Sequence, residues 1–353
     1  MRLYESEISV PIVAARFGLD PAAIEDFSLN VNPFGPPASA VAAARSALDR
    51  CNAYPDTRLD ALRTVLAGRH DVEPDRLFFG AGLDDVIKLL LQAFTAEGDT
   101  VLVHVPTFPR YELEAYLHGC NVETVRSDPP WALDVGAIHA RLAQRRVDVA
   151  FLCTPNNPTG AVIANEDVRA LARSFPQTIF IVDEALANPL EDGAAALARS
   201  EPNVVVLRTF SKAFGLAGLR VGYALGPTAL VALAERGRPP FNVAVPGEAA
   251  AIAALEDAAF VRRSYATFHD EAALFVRGLE RLRRFAVRGR YANMLLIEIL
   301  SGPAAACIDA LAAQGLLVAD AACFGGIDDC AAIRVSLRDR AANVRLLAAL
   351  GRA

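Results

Sequence analysis

The sequence predicts an α/β fold, a mostly parallel seven-stranded sheet sandwiched by helices and followed by a smaller α+β portion. Three observations predict it. Between residues 76 and 225, short β-rich apolar runs alternate with longer helical patterns, as in chains of strand–helix–strand units. Most of the runs lead directly into an unusual turn. After the break "PPFNVAVPG" the pattern changes, with a helical stretch over 245–285 and then isolated strands and helices to the end. In order, the strands are "RLFF", "TVLVHV", "NVETV", "VDVAFLC", "TIFIVD", "VVVLRT" and "RVGYAL". The later portion reads as a strand in "YANMLLIEIL", a helix near 303–313, a strand in "AAIRVSL" and a last helix to Leu350. This divides the chain into an N-terminal arm (1–30), a large unit (31–240) and a small C-terminal unit (241–353).

The turns hold the distinctive residues. "LFF" enters "GAGLDD", "VLVHV" enters "PTFPRY", "VAFLC" enters "TPNNPTG", "FIV" enters "DEA" and "VVVLR" enters "TFSK". All of these lie at carboxyl ends of strands, where open α/β sheets bind ligands.

Composition narrows the partner. Hydrophobic residues make up 53% of the chain, its net charge is −6, and no basic run reaches five residues. A well-packed protein binding a small molecule is expected, with neither nucleic acid nor an anionic membrane as partner. The start "MRLYESEISV" shows no charged leader before an apolar core, and no stretch approaches the ~18 apolar residues of a membrane span, so a cytoplasmic location is expected. The six cysteines show no CxxC spacing and the five histidines no HxH or HExxH, which suggests neither a disulfide frame nor a metal site.

Lysine is nearly absent. Of 35 basic side chains only Lys88 and Lys212 are lysine. Arginine does not give up its proton in a protein, whereas a buried lysine amine can lose one and attack a carbonyl. Lys212 in "TFSKAFGLAGLR" is therefore a candidate nucleophile, while Lys88 in "DDVIKLLLQAF" reads as a helix-surface residue. Asp183 closes the apolar run "FIVDEAL", where a carboxylate is costly unless it meets a cation, a donor or a helix N-terminus. "GAGLDDVIKLL" sets two glycines between strand and helix, open to an anion on backbone amides or to a plain tight turn. It lacks the third glycine and remote acid of a dinucleotide site. "TPNNPTG" forms a rigid turn able to present an amide.

Together these parts suit pyridoxal phosphate, which needs a Schiff-base lysine, phosphate donors, a carboxylate on its ring nitrogen and an apolar ring cover. The sequence resembles the fold-type I pyridoxal-phosphate enzymes of the class I/II aminotransferase superfamily, most closely the branch of histidinol-phosphate aminotransferase and threonine-phosphate decarboxylase. The resemblance runs from about residue 27 to the C-terminus through "DFSLNVNPFGPP", "YPD", "GAG", "PTFPRYE", "PNNPTG", "VDEA", "SKAFGLAGLRVGY" and "IRVSLRDRAAN". It implies that Lys212 forms the Schiff base and carries the Cα proton. Asp183 would pair with the ring nitrogen, Asn157 with the ring hydroxyl, and Phe108 would cover the ring. Arg220, Ser211, Thr209 and the amides of Ala81 and Gly82 would hold the phosphate. Tyr54 would reach the neighbouring subunit's phosphate in a homodimer, Arg334 would take the substrate carboxylate, and Asn32 would line the substrate pocket.

Two positions depart from the branch. The tyrosine that commonly follows "DEA" is Leu186, which removes a donor to the ring oxygen and leans toward the decarboxylases. The arginine that helps hold a substrate phosphate after the "G-x-x-V" strand is Ala319. Glu5 and Glu7, in "YESEIS", replace the decarboxylase's His-Gly-Gly start and would repel a phosphate, and with Asp320 they are possible partners for a cation. The sequence thus points to an aminotransferase for an amino acid or related amine that is neither histidinol phosphate nor threonine phosphate. A decarboxylase, lyase or cyclase on the same cofactor is the alternative. A non-catalytic regulator is disfavoured because Lys212 and Asp183 are intact and no basic helix-turn-helix is present.

Overall fold

The computed structural model describes residues 9–327 and 329–352. Its strands, numbered along the chain, are β1 (Glu25–Asp26), β2 (Leu77–Gly80), β3 (Thr100–Val105), β4 (Asn121–Arg126), β5 (Val149–Cys153), β6 (Ile179–Asp183), β7 (Val204–Thr209), β8 (Gly222–Leu225), β9 (Phe285–Tyr291), β10 (Met294–Ile299), β11 (Leu316–Leu317), β12 (Ala319–Asp320) and β13 (Ala332–Ser336). Strands β2 to β8 are the seven expected from the sequence, and they form one sheet in the order β2-β8-β7-β6-β5-β3-β4.

The five strands β3 to β7 are parallel, and β5 and β7 are buried at every residue. Helices on both faces cover such strands, which explains why "VAFLC" and "VVVLR" carry no polar alternation. β4 lies at the edge, and there Glu123 is ion-paired with Arg141 and Arg145. Only β8 runs the other way, so its first residue, Gly222, pairs with the last residues of both β2 and β7, Gly80 and Thr209. This reversal puts "GLRVGY" at the same edge as the carboxyl ends of its neighbours.

A second, antiparallel sheet has the order β12-β13-β10-β9. β9 ("FAVRGRY") is not expected from the sequence, because Arg288 and Arg290 on its exposed face interrupt the apolar run. The chain before the large sheet joins this second unit: β1 pairs in parallel with β11, and Phe27 is fully buried in the C-terminal core. Helix Val245–Glu256, which follows the expected boundary, packs against helix Ala38–Ala47 and lends Ala250, Ala251 and Ala254 to the core of the large sheet. Helix Ala258–Glu280 starts at Asp257, whose side chain accepts the Phe260 amide, and serves both cores, with Phe260 and Val261 in one and Phe275 and Leu279 in the other. No helix among the described residues is long and apolar enough to cross a membrane.

Two buried histidines make stability pH-dependent. Burial pushes His104 and His70 down to about 4; His104 Nε2 accepts a hydrogen bond from the Cys153 amide, and the His70 ring meets the Tyr223 hydroxyl at 2.9 Å. Unfolded histidine titrates near 6.5, so between about 6.5 and 4 the unfolded chain binds more protons. The histidine contribution to stability is therefore complete above pH 6.5 and lost as the pH falls toward 4. Thermal unfolding of the apoprotein across that range should show the midpoint falling steadily, with a shallower fall in His70→Gln.

Candidate active site

The carboxyl ends of β2, β3, β5, β6 and β7 and the start of β8 meet around Lys212. Burial pushes its amine down to about 8, the charges of Arg334 and Arg220 add to the depression, and those of Asp84 and Asp183 oppose it. A group in this setting is an ammonium that gives up its proton near neutrality.

Asp183 ends β6 at 2% exposure. Burial pushes its carboxyl up, and two donors oppose that shift: the Tyr111 hydroxyl at 2.7 Å from Oδ2 and the Ala185 amide at 2.8 Å from Oδ1. Tyr111 was not legible as a site residue. It is fully buried, stacked on Phe151 at 4.6 Å, and meets Phe108 edge-on at 5.7 Å, so one side chain joins the expected ring cover to the expected ring acid. Its place three residues after Phe108, on the first turn of helix Arg110–Leu117, is the only sequence signal. Tyr111→Phe should lower apoprotein stability by about 1.5–3 kcal/mol, the usual worth of a hydrogen bond to a charged group, as read by urea unfolding. The other acid of "DEA", Glu184, is structural: it forms a buried ion pair with Arg208 at 2.7 Å and accepts the Ala194 amide.

The two asparagines of "PNNPTG" separate by role. Asn156, 2% exposed, donates to the Pro106 carbonyl and Thr159 Oγ1 and accepts from Thr107 Oγ1, which locks this turn to "PTF". Asn157 Oδ1 accepts from Arg334 Nη1 at 3.1 Å, leaving its amide N–H groups for the site. Arg334, buried in the middle of β13, also donates to the Ser28 carbonyl and lies over the Phe324 ring at 5.3 Å.

The anion cradle differs in detail from the sequence reading. Gly82 has φ +86°, and a Cβ there would fall 2.3 Å from Arg220 Nη2, so only glycine lets the Arg220 side chain lie across this turn. The amides of Ala81 and Gly82, expected to face a phosphate, are committed within the turn: the first donates to Asp85 Oδ2 at 2.9 Å and the second to the Gly80 carbonyl at 2.8 Å. The donors left are the first-turn amides of helix Leu83–Phe94, which no intrahelical carbonyl satisfies. Thr209 Oγ1 accepts the Ser211 amide at 3.1 Å and sits beside the Val221 carbonyl, which fixes the turn leading into Lys212; Ser211 is buried next to it.

Three other positions complete the placement. The Asn32 amide group donates to the Ala213 carbonyl and Ser264 Oγ, and its Oδ1 accepts the Phe34 amide, so all three bonds go to protein rather than toward a pocket. Tyr54 is 81% exposed and stacked on Phe241 at 4.6 Å. Leu186 is buried, with its carbonyl accepting from the Tyr265 hydroxyl at 3.2 Å. Asp320 accepts the Ala322 amide, and Glu5 and Glu7 lie outside the described residues.

Residues 23–350 match the family described as aminotransferase class I and II. The chain belongs to that family. It is 38% identical to a protein of Symbiobacterium thermophilum named histidinol-phosphate aminotransferase, over 91% of this chain and 88% of the relative. Its fold is that of the histidinol-phosphate aminotransferase of Sinorhizobium meliloti solved with pyridoxal-5'-phosphate, at TM-score 0.86 and 24% identity over 98% and 94% of the two chains. The L-threonine-O-3-phosphate decarboxylase of Porphyromonas gingivalis superposes at TM-score 0.82 and 25% identity over 93% and 99%.

This aminotransferase depends on pyridoxal 5'-phosphate and has the fold-type I architecture predicted. The residues in hand fit the cofactor: a lone buried lysine with a depressed pKa, a buried carboxylate held by two donors, and an arginine laid over a glycine turn at a helix N-terminus.

Proposed function

We propose that this aminotransferase acts on an amino acid or related amine that carries no phosphate ester. The observation behind this reading is the register of the small sheet: Ala319 is the direct cross-strand partner of Arg334. The position from which the branch's arginine would hold a substrate phosphate thus lies beside the carboxylate-binding arginine, and it is occupied by a methyl group. The name of the relatives, histidinol-phosphate aminotransferase, favours the opposite substrate.

Pyridoxal phosphate supplies an aldehyde and an electron-withdrawing ring that stabilises negative charge at the substrate Cα. In our reading the protein does the rest. Arg334 takes the substrate α-carboxylate as a planar fork, with Asn157 and the Ser28 carbonyl holding its orientation. Lys212 Nζ, neutral in a useful fraction at physiological pH, would take the proton from the substrate Cα. Asp183, whose carboxylate form the Tyr111 and Ala185 donors favour against burial, would pair with the ring nitrogen, and Phe108 would cover the ring. Arg220, the first turn of helix Leu83–Phe94 and the Ser211 hydroxyl hold the phosphate. Asn32 acts by fixing the backbone beside Lys212.

We further propose a cytoplasmic homodimer in which Tyr54, held outward on Phe241, reaches the partner's phosphate. Six free cysteines suit a reducing compartment. The proposed division of the chain is an arm through residue 30, a cofactor-binding unit to 240 and a small unit from 241, with helix Val245–Glu256 packing on the larger core.

Single-turnover absorbance without a keto acid, on a panel with histidinol phosphate, threonine phosphate and unphosphorylated amino acids, tests the substrate. Stoichiometric conversion of the cofactor to its amine form by an unphosphorylated member is expected; preferential conversion by histidinol phosphate would refute the proposal. Leu186 favours a second reading, loss of carbon dioxide or another group, for which substrate would disappear while the aldehyde form returns.

A further inference from the structure

We propose that Asp84 competes with the cofactor's phosphate for Arg220 and so sets how readily the enzyme releases its cofactor; this rests on the Lys212 site holding pyridoxal phosphate. Asp84 lies in the first turn of helix Leu83–Phe94, where unsatisfied amides and the helix dipole favour an anion. It therefore brings negative charge to the place where a phosphate is to be held. Its Oδ2 accepts from Arg220 Nη2 at 3.3 Å, and its Oδ1 lies 3.5 Å from Arg110 Nε. Arg110 extends the network to Glu114, one turn along its own helix. The Asp84 charge also acts on the Lys212 amine, opposing the depression that burial causes.

Capping the helix does not require Asp84. Its N-cap is Gly82 with no side-chain cap bond, and the neighbouring Asp85 is turned to the Ala81 amide at 2.9 Å and Asn242 Nδ2 at 3.3 Å. The partners of Asp84 among the described residues are the two arginines, one from the turn after β3 and one from the turn before β8. Arg220 lies across Gly82 and can turn its guanidinium toward either Asp84 or a bound dianion, and Arg110 decides how much of the Asp84 charge is left to oppose that dianion. Asp84 and Arg220 are each 46% exposed, so solvent weakens the competition without removing it.

Charge competition predicts shifts of opposite sign. Asp84→Asn keeps the shape and an acceptor for Arg220 but deletes the charge, and it should tighten apoprotein binding of inorganic phosphate about three- to tenfold. Loss of cofactor from the diluted holoenzyme should slow by a similar factor. Arg110→Gln leaves the Asp84 carboxylate to Arg220 alone and should weaken phosphate binding and hasten cofactor loss. Equilibrium dialysis with inorganic phosphate and absorbance of the retained cofactor read both variants. Unchanged or weaker phosphate binding in Asp84→Asn, or unchanged or tighter binding in Arg110→Gln, overturns the proposal. Should Asp84→Asn not fold, Arg110→Gln alone decides. A wild-type apoprotein that binds phosphate but shows no Schiff-base absorbance with pyridoxal phosphate would instead refute the Lys212 reading, which keeps the two failures apart.

Discussion

Replacing Lys212 with arginine is expected to lower the rate of amino transfer by about four orders of magnitude or more and to abolish the Schiff-base absorbance of the bound cofactor. Arginine preserves length and positive charge, so the loss isolates what lysine alone provides, an amine that deprotonates. Lys212→Ala should act alike on rate and add an effect on the fold. The amine is pushed from an ordinary 10.5 down to about 8, so below pH 8 the folded apoprotein bears the cost of a buried ammonium. Between about 8 and 10.5 the unfolded chain binds more protons than the folded one, and stability rises with pH there. Lys212→Ala should therefore be more stable than wild type at pH 7 and lack that rise. A wild-type absorbance spectrum in Lys212→Arg would remove lysine from the chemistry; equal pH-stability curves for wild type and Lys212→Ala would show the amine to be solvated.

Much of this site was legible because each turn interrupts a buried strand with a residue that burial penalises. Asp183 at the end of "FIV" and Arg334 inside "AIRVSL" each need a partner inside the protein, and the structure provides it, whereas Lys212 after "VVVLR" answers burial by holding its proton weakly. What stayed hidden depends on direction and register, which composition does not carry. Tyr111 looks like a core aromatic, and its fully buried ring is one; only the position of its hydroxyl against Asp183 gives it a role. The amides of "GAG" were correctly placed at a helix N-terminus, but Asp85 takes the first of them, so the turn's free donors lie one residue further on. Asn32 sits beside the site, yet its three hydrogen bonds go to Ser264, Phe34 and the Ala213 carbonyl, and the last fixes the backbone next to Lys212. That Ala319 faces Arg334 follows from cross-strand pairing of β12 with β13, a contact between residues far apart in the chain.

The second large effect is expected at Arg334. Arg334→Lys should lower kcat/KM for amino acids about 10²- to 10³-fold, because an ammonium replaces a two-pronged, charge-assisted contact with a single point. The buried surroundings sharpen the loss. Asn157 Oδ1 and the Ser28 carbonyl accept from the two ends of the guanidinium, and a lysine amine reaching that depth satisfies them only by turning from the substrate. Amines without an α-carboxylate supply the control, since they never used the fork: their kcat/KM should change severalfold at most, so the ratio between the two substrate classes reports the contact itself. Arg334→Gln makes a further distinction. It removes the positive charge that, after burial, does most to hold the Lys212 amine down, so the amine's pKa should move up from about 8. The acid limb of the rate profile, on which that amine must lose its proton to act as a base, should move up with it. If Arg334→Lys lowers activity equally for substrates with and without the carboxylate, Arg334 supports the fold of the site and does not bind substrate.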